Sequence, residues 1–210
     1  MNYHRFSLPA QPLGTHLLGD TRLRTLVGIG YLVVLTAVVV ASTVSTRTTV
    51  AGAPIATLSP VFDTLFWALI ILVVLSTFVV PIVYALFNGG PVIAFLIAVA
   101  PELVVYVTTG TLHLTPDFTL GLVFGAFAAV LAVYVSAYRS YGSLSPGSHA
   151  DLDDALLFST AVAVVGTVAL VRLYVEGPSS MAARTEPYGV VVVPTVAMVA
   201  YGWMMRLRAE

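Results

Sequence analysis

The 210-residue chain contains no cysteine. That excludes disulfides, thiolate nucleophiles, iron–sulfur clusters and cysteine-bound zinc together. Lysine is missing as well: all nine basic residues are arginine. Without lysine there is no Schiff-base site of the retinal kind and no lysine-centred phosphate loop. Charge of either sign is scarce. Only 9% of residues are charged, against roughly 25% in soluble domains, too few to cover a water-facing surface. Between Asp63 and Glu102 lie 38 residues with no formal charge. A net charge of −1 leaves no basic patch, so no nucleic-acid partner is expected. The four histidines are His4, His16, His113 and His149. All fall outside the apolar segments and none is paired at ligand spacing, so neither a metal nor another cofactor is expected. A serine-protease arrangement at membrane depth would lack its base.

What is present is apolar: 59% of residues, with a mean hydropathy of +0.98. Roughly 20 apolar residues cross a hydrocarbon core. Six segments qualify: Thr25–Val44, Val61–Phe87, Pro91–Thr109, Asp117–Tyr138, Ala155–Val175 and Tyr188–Met205. The expected fold is therefore all-α, a polytopic bundle of six transmembrane helices in the cell membrane, with the lipid bilayer as its first partner. Residues 1–24 are expected as an N-terminal cytoplasmic segment, 25–205 as the transmembrane domain and 206–210 as a short cytoplasmic tail. The first segment is read as a retained span, because its apolar run is long for a signal peptide and 24 residues precede it.

Proline marks several helix starts, at Ser59-Pro60, Gly90-Pro91, Thr115-Pro116 and Glu186-Pro187, where its missing N–H costs nothing. Asp117, Asp151, Asp153 and Asp154 read as first-turn and capping acids. The stretch "YGSLSPGSHADLDD" reads as a linker. Orientation follows arginine counts: Arg5, Arg22, Arg24, Arg139, Arg206 and Arg208 fall on one side, Arg47, Arg172 and Arg184 on the other. The richer side should be cytoplasmic, which puts both termini there.

Span four carries Gly121, Gly125, Ala129 and Ala132, small residues at helical spacing that let a neighbouring backbone approach. The partner is either span five, with its own Ala155, Ser159, Ala163 and Gly166, or a second copy in a homo-oligomer. Pro81, Pro101 and Pro194 lie inside spans two, three and six and predict kinks, each removing one backbone hydrogen bond.

One ionisable group stands near mid-membrane. Glu102 follows Pro101 in "IAVAPELVVYV", about 16 Å along its helix from Pro91. Exposing a charge to lipid there costs at least about 2.5–3.5 kcal/mol, so it should face the bundle interior. Tyr106 and Thr109 share its face at i+4 and i+7, a stripe ending near His113. Arg172 is at a suitable depth to be its counter-ion, or else pairs locally with Glu176 at i+4.

Three functions compete. A non-enzymatic subunit or assembly component, with other membrane proteins as partners, accounts for how few polar residues enter the spans. A small transporter or channel-like protein would use Glu102, Tyr106, Thr109 and Arg172 as an ion or substrate pathway. An intramembrane enzyme is third, disfavoured by the missing cysteine, lysine and buried histidine; no catalytic residue is assigned.

Overall fold

Several helix ends are set by local chemistry. Thr21 caps α2 (Arg22–Arg47), accepting the Arg24 N–H at 3.4 Å. Pro91 opens α5 (Pro91–Thr109), which stops at Gly110 in the left-handed region, φ +69°. Thr115 caps α6 (Pro116–Tyr141) by accepting the Phe118 N–H at 3.1 Å, and Gly142 ends it as Gly110 ends α5. A glycine there avoids the Cβ clash of a left-handed residue. The computed structural model describes residues 15–19, 21–54, 60–110 and 114–210. Its other elements are α1 (Thr15–Leu18), a two-residue hairpin of β1 (Thr49–Val50) and β2 (Ala53–Pro54), α3 (Pro60–Phe78), α4 (Val80–Leu86), α7 (Asp153–Glu176), α8 (Ser179–Thr185) and α9 (Gly189–Ala209). The hairpin turns through Ala51 and Gly52, both at positive φ (52° and 84°), as the right-handed strand twist favours.

Among the described residues five helices are long and apolar enough to cross a membrane. The second expected span is two helices, α3 and α4, bent by 44° at a break. Counted as one span, they raise the number to six. Pro81 is the second residue of α4 and has no N–H to donate back into α3. By contrast, α5 and α9 run through Pro101 and Pro194 as continuous helices.

The central helix is α6, with 72% of its apolar window buried, against 17% for α2 and 17% for α9. It packs on α5, α7, α4 and α9 and touches α3 through Phe124 on Phe78, while α2 packs on α5 and α3. Hydrogen bonds tie the layers where apolar packing alone would leave a polar atom stranded. Tyr31 on α2 meets Ser76 on α3 at 2.6 Å. Tyr134 on α6 donates to the Met198 carbonyl on α9 at 2.7 Å. The Trp203 indole N–H on α9 donates to Thr160 on α7 at 2.8 Å.

At one end of the bundle lie the starts of α2, α5 and α7 and the ends of α4, α6 and α9. Gly19 bridges Gly89, Arg139 donates to the Leu86 carbonyl at 2.8 Å, and Arg206 pairs with Asp153 at 3.0 Å. Residues 143–152 belong to this end and correct the linker reading. They form two 3-10 turns, Pro146–Ser148 and Ala150–Leu152, with Pro146, Gly147 and Leu152 buried. His149 stacks on Tyr141 at 3.8 Å, and the Tyr141 hydroxyl donates to Asp151 at 3.0 Å. These acids do stand in first turns, Asp151 in its 3-10 turn and Asp153 and Asp154 in α7, and only their capping role needs correcting. Leu152 precedes α7 without any side-chain cap, and Asp151 and Asp153 bind Tyr141 and Arg206 instead. A salt bridge between elements satisfies the carboxylate better than an exposed first turn does.

Candidate functional site

The position of Glu102 is set by how α5 meets α6. A Cβ added at Gly121 would lie 2.9 Å from the Ala98 carbonyl oxygen, and one at Gly125 would lie 3.0 Å from the Phe95 ring. The two helices are therefore antiparallel, with Ala98 opposite Gly121. Moving four residues further along each, in opposite directions, brings Glu102 level with Asp117 in the first turn of α6. Glu102 is half-buried and Asp117 exposed.

Periodicity places Phe95, Val99, Glu102, Tyr106 and Thr109 on one side of α5. Val99 packs with Leu122 of α6 and Ala169 of α7, so this side is the one turned to the α6–α7 seam. Tyr106 and Thr109 are half-buried, and the Thr109 hydroxyl donates back to the Tyr106 carbonyl at 3.5 Å. Leu103 and Val107, about 100° round from Glu102 and Tyr106, are exposed, and the opposite side carries Ala100 and Val104, packed on Leu35 and Val39 of α2. His113, the expected end of the stripe, lies outside the described residues.

Arg172 is at the right height and the wrong rotation. Ala169 packs against Val99, so Arg172, three residues on, stands about as high as Glu102. The buried side of α7 runs through Gly166, Ala169 and Leu173, and Arg172 points off it. Its guanidinium pairs with Glu176 one turn along, Nε to Oε2 at 2.7 Å, with both side chains about 60% exposed (60% and 63%). That pair forms without desolvating either group, whereas reaching Glu102 would require burial. Among the described residues no ion pair joins Arg172 to Glu102.

The small residues of α6 divide between two neighbours. Gly121 and Gly125 face α5. Ala129 and Ala132 are fully buried, and the Ala129 carbonyl accepts from Ser159 of α7 at 3.5 Å. Gly166 of α7 faces α6, where a Cβ would lie 3.1 Å from the Leu122 carbonyl. Ala129 thus lies against span five, and the two glycines lie against span three.

Two features were not anticipated. Arg47, at the end of α2, donates to the Thr108 carbonyl at 3.5 Å, a cation at the negative end of α5 where it is favoured. Along the back of α2, an apolar groove of about 870 Å³ runs past Thr36, Ala37, Ala41 and Ser45. Its signal was present as small residues at 37, 41 and 45, a four-residue spacing. Among the described residues no three His, Asp or Glu side chains gather where they could hold a metal ion.

No protein-family model, curated protein or solved structure matches the chain. The fold itself defines the class. Among the described residues five or six apolar helices, one of them buried at the centre, make a multi-pass helical bundle built for a bilayer.

Proposed function

We propose that this chain is a non-enzymatic subunit or assembly component of a complex in the cell membrane, crossing it six times with both termini cytoplasmic. The observation that carries the reading is the dead end below Glu102. A pathway for ions or substrates along the Glu102–Tyr106–Thr109 side of α5 would have to continue between α5 and α6. There an added methyl group would force a shift at Gly121 and would fit at Gly125 only with a few tenths of an ångström of movement. The seam of α6 with α7 is as tight at Gly166. Glu102 then serves as a structural carboxyl near Tyr106 and the backbone opened by Pro101.

Purification of the intact chain from its native membrane tests this directly. Stoichiometric heterologous membrane proteins should accompany it, and Glu102→Gln should retain them, since glutamine keeps shape and hydrogen bonding. A chain that purifies alone as a homo-oligomer and loses a pH-dependent flux in vesicles on Glu102→Gln would establish the transporter reading instead. That second reading is favoured by one observation of its own, the level placement of Glu102 and Asp117 across the α5–α6 seam.

The sidedness rests on arginine counts. Reporter fusions after residue 20 and residue 210 should both report the cytoplasm. Reporters on opposite sides would remove one span, with α3–α4 as the re-entrant element.

A further inference from the structure

A crevice of about 330 Å³ opens between α2 and α4 at the arginine-rich end of the bundle. Its walls are apolar, with Val27 and Gly28 on α2 and Val83 and Phe87 at α4. Tyr84 closes its floor, donating its hydroxyl proton to the Arg24 carbonyl at 3.3 Å. Arg24 also lines the crevice, and Arg22 stands exposed two residues earlier. Among the described residues neither arginine has an ion pair, and counting Asp20 in the sequence the 20–24 stretch remains net positive. Arg139 adds a third guanidinium beside Phe87, through its bond to the Leu86 carbonyl. The N-termini of α2 and α5 both point their positive dipole ends to this level.

We infer that this crevice binds one anionic phospholipid of the adjoining leaflet, its phosphate on Arg24 and one acyl chain between α2 and α4. Charge and shape select this occupant together. A free phosphate would use the arginines and leave an apolar slot empty. A zwitterionic lipid would fill the slot but bring its own cation to the guanidinium groups. An arginine held at the headgroup level beside an apolar inter-helix slot meets both requirements of an anionic lipid. The back of α2, which carries the separate groove at Ala37 and Ala41, is not involved, so the site stands independently of a subunit role.

The test uses the detergent-solubilised full chain, titrated with phosphatidylglycerol or with phosphatidylcholine of identical acyl chains. Native mass spectrometry reads occupancy and a thermal melt reads protection. Phosphatidylglycerol should bind more tightly and raise the unfolding midpoint. Arg24→Gln should weaken its binding about fivefold and leave phosphatidylcholine unchanged. Val83→Trp, at a partly exposed wall position, should fill the slot and weaken phosphatidylglycerol while sparing its non-specific adsorption. A lipid carrying a photoreactive group on its acyl chain should label residues 27–31 or 83–87 of the unmodified protein. Equal affinity for the two headgroups would overturn the inference. So would equal protection by inorganic phosphate, or labelling confined to other helices. The headgroup comparison and the labelling need no variant, so a variant that misfolds leaves both decisive.

Discussion

Gly147→Ala should lower the unfolding midpoint of the purified protein by roughly 6–12 °C. The added Cβ would lie 1.8 Å from the Gly202 carbonyl oxygen and 2.8 Å from the Arg206 backbone nitrogen. Both are backbone atoms within α9, so no side chain can rotate aside. The turn of Pro146–Ser148 must lift from the helix or α9 must shift. Either movement strains the Arg206–Asp153 pair at 3.0 Å and uncovers Leu152, which is fully buried. Overpacking that forces backbone movement costs about 3 kcal/mol, and each kcal/mol moves the midpoint of a chain this size by about 2–4 °C. Gly30→Ala is the matched control. It sits within α2 with nothing within 4 Å of the added Cβ, so the better helix former should leave the midpoint unchanged or raise it slightly. A Gly147→Ala melt that overlays the Gly30→Ala melt would mean that residues 143–152 do not rest on α9.

That stretch also shows where a sequence stops being informative. Its Gly, Ser and Pro content is the same whether it is solvated or pressed against a helix, because composition reports turn propensity and not the neighbour. The ends of α5 were legible at Gly90-Pro91 and Gly110 for the opposite reason. There the missing N–H and the left-handed residue act within a few positions of themselves. The break between α3 and α4 lay between these cases: Pro81 marked where an N–H was lost, but the 44° bend depends on what α4 packs against. The small residues of α6 were misassigned in part by a geometric drift. Steps of four residues advance about 40° around a helix, so Gly121 and Ala129 differ by about 80°. On a peripheral helix that still counts as one side. On a central helix it is enough to hand the glycines to α5 and Ala129 to α7.

Around Glu102 the legible part was likewise the part internal to one helix. Tyr106 and Thr109 follow from the period alone. Asp117 as the facing carboxylate could not be read, since it depends on the register of α5 against α6, set by Gly121 meeting Ala98. The depth of Arg172 followed from counting residues, yet its rotation depends on which side of α7 is buried. Glu176, one turn away and equally exposed, was the cheaper partner energetically.

Gly125→Leu should be the most damaging single change inside the bundle, and the size of the replacement should grade the effect. The Cβ alone would stand 3.0 Å from the Phe95 ring, 3.1 Å from its carbonyl oxygen and 3.2 Å from the Ala98 Cβ. Alanine therefore asks for movements of a few tenths of an ångström, and Gly125→Ala should shift the midpoint by only a few degrees. Leucine adds three further carbons to a seam that takes the first only by giving a few tenths of an ångström. It must push α5 away from α6, and the separation cannot be relieved on the other flank, where Gly166 already holds α7 close to Leu122. Within lipid no hydrophobic term restores the contact, since acyl chains solvate the exposed faces as well as helices do; what is lost is close packing. The cost should reach at least about 3 kcal/mol, read as a midpoint lowered by 6 °C or more or as loss of the folded protein from detergent extracts. Gly166→Leu, on the opposite flank of α6, should match it. Identical melts for Gly125→Ala, Gly125→Leu and the parent would place this side of α6 against lipid, and Glu102, four residues beyond Ala98 on the same seam, would then lose its inward position as well.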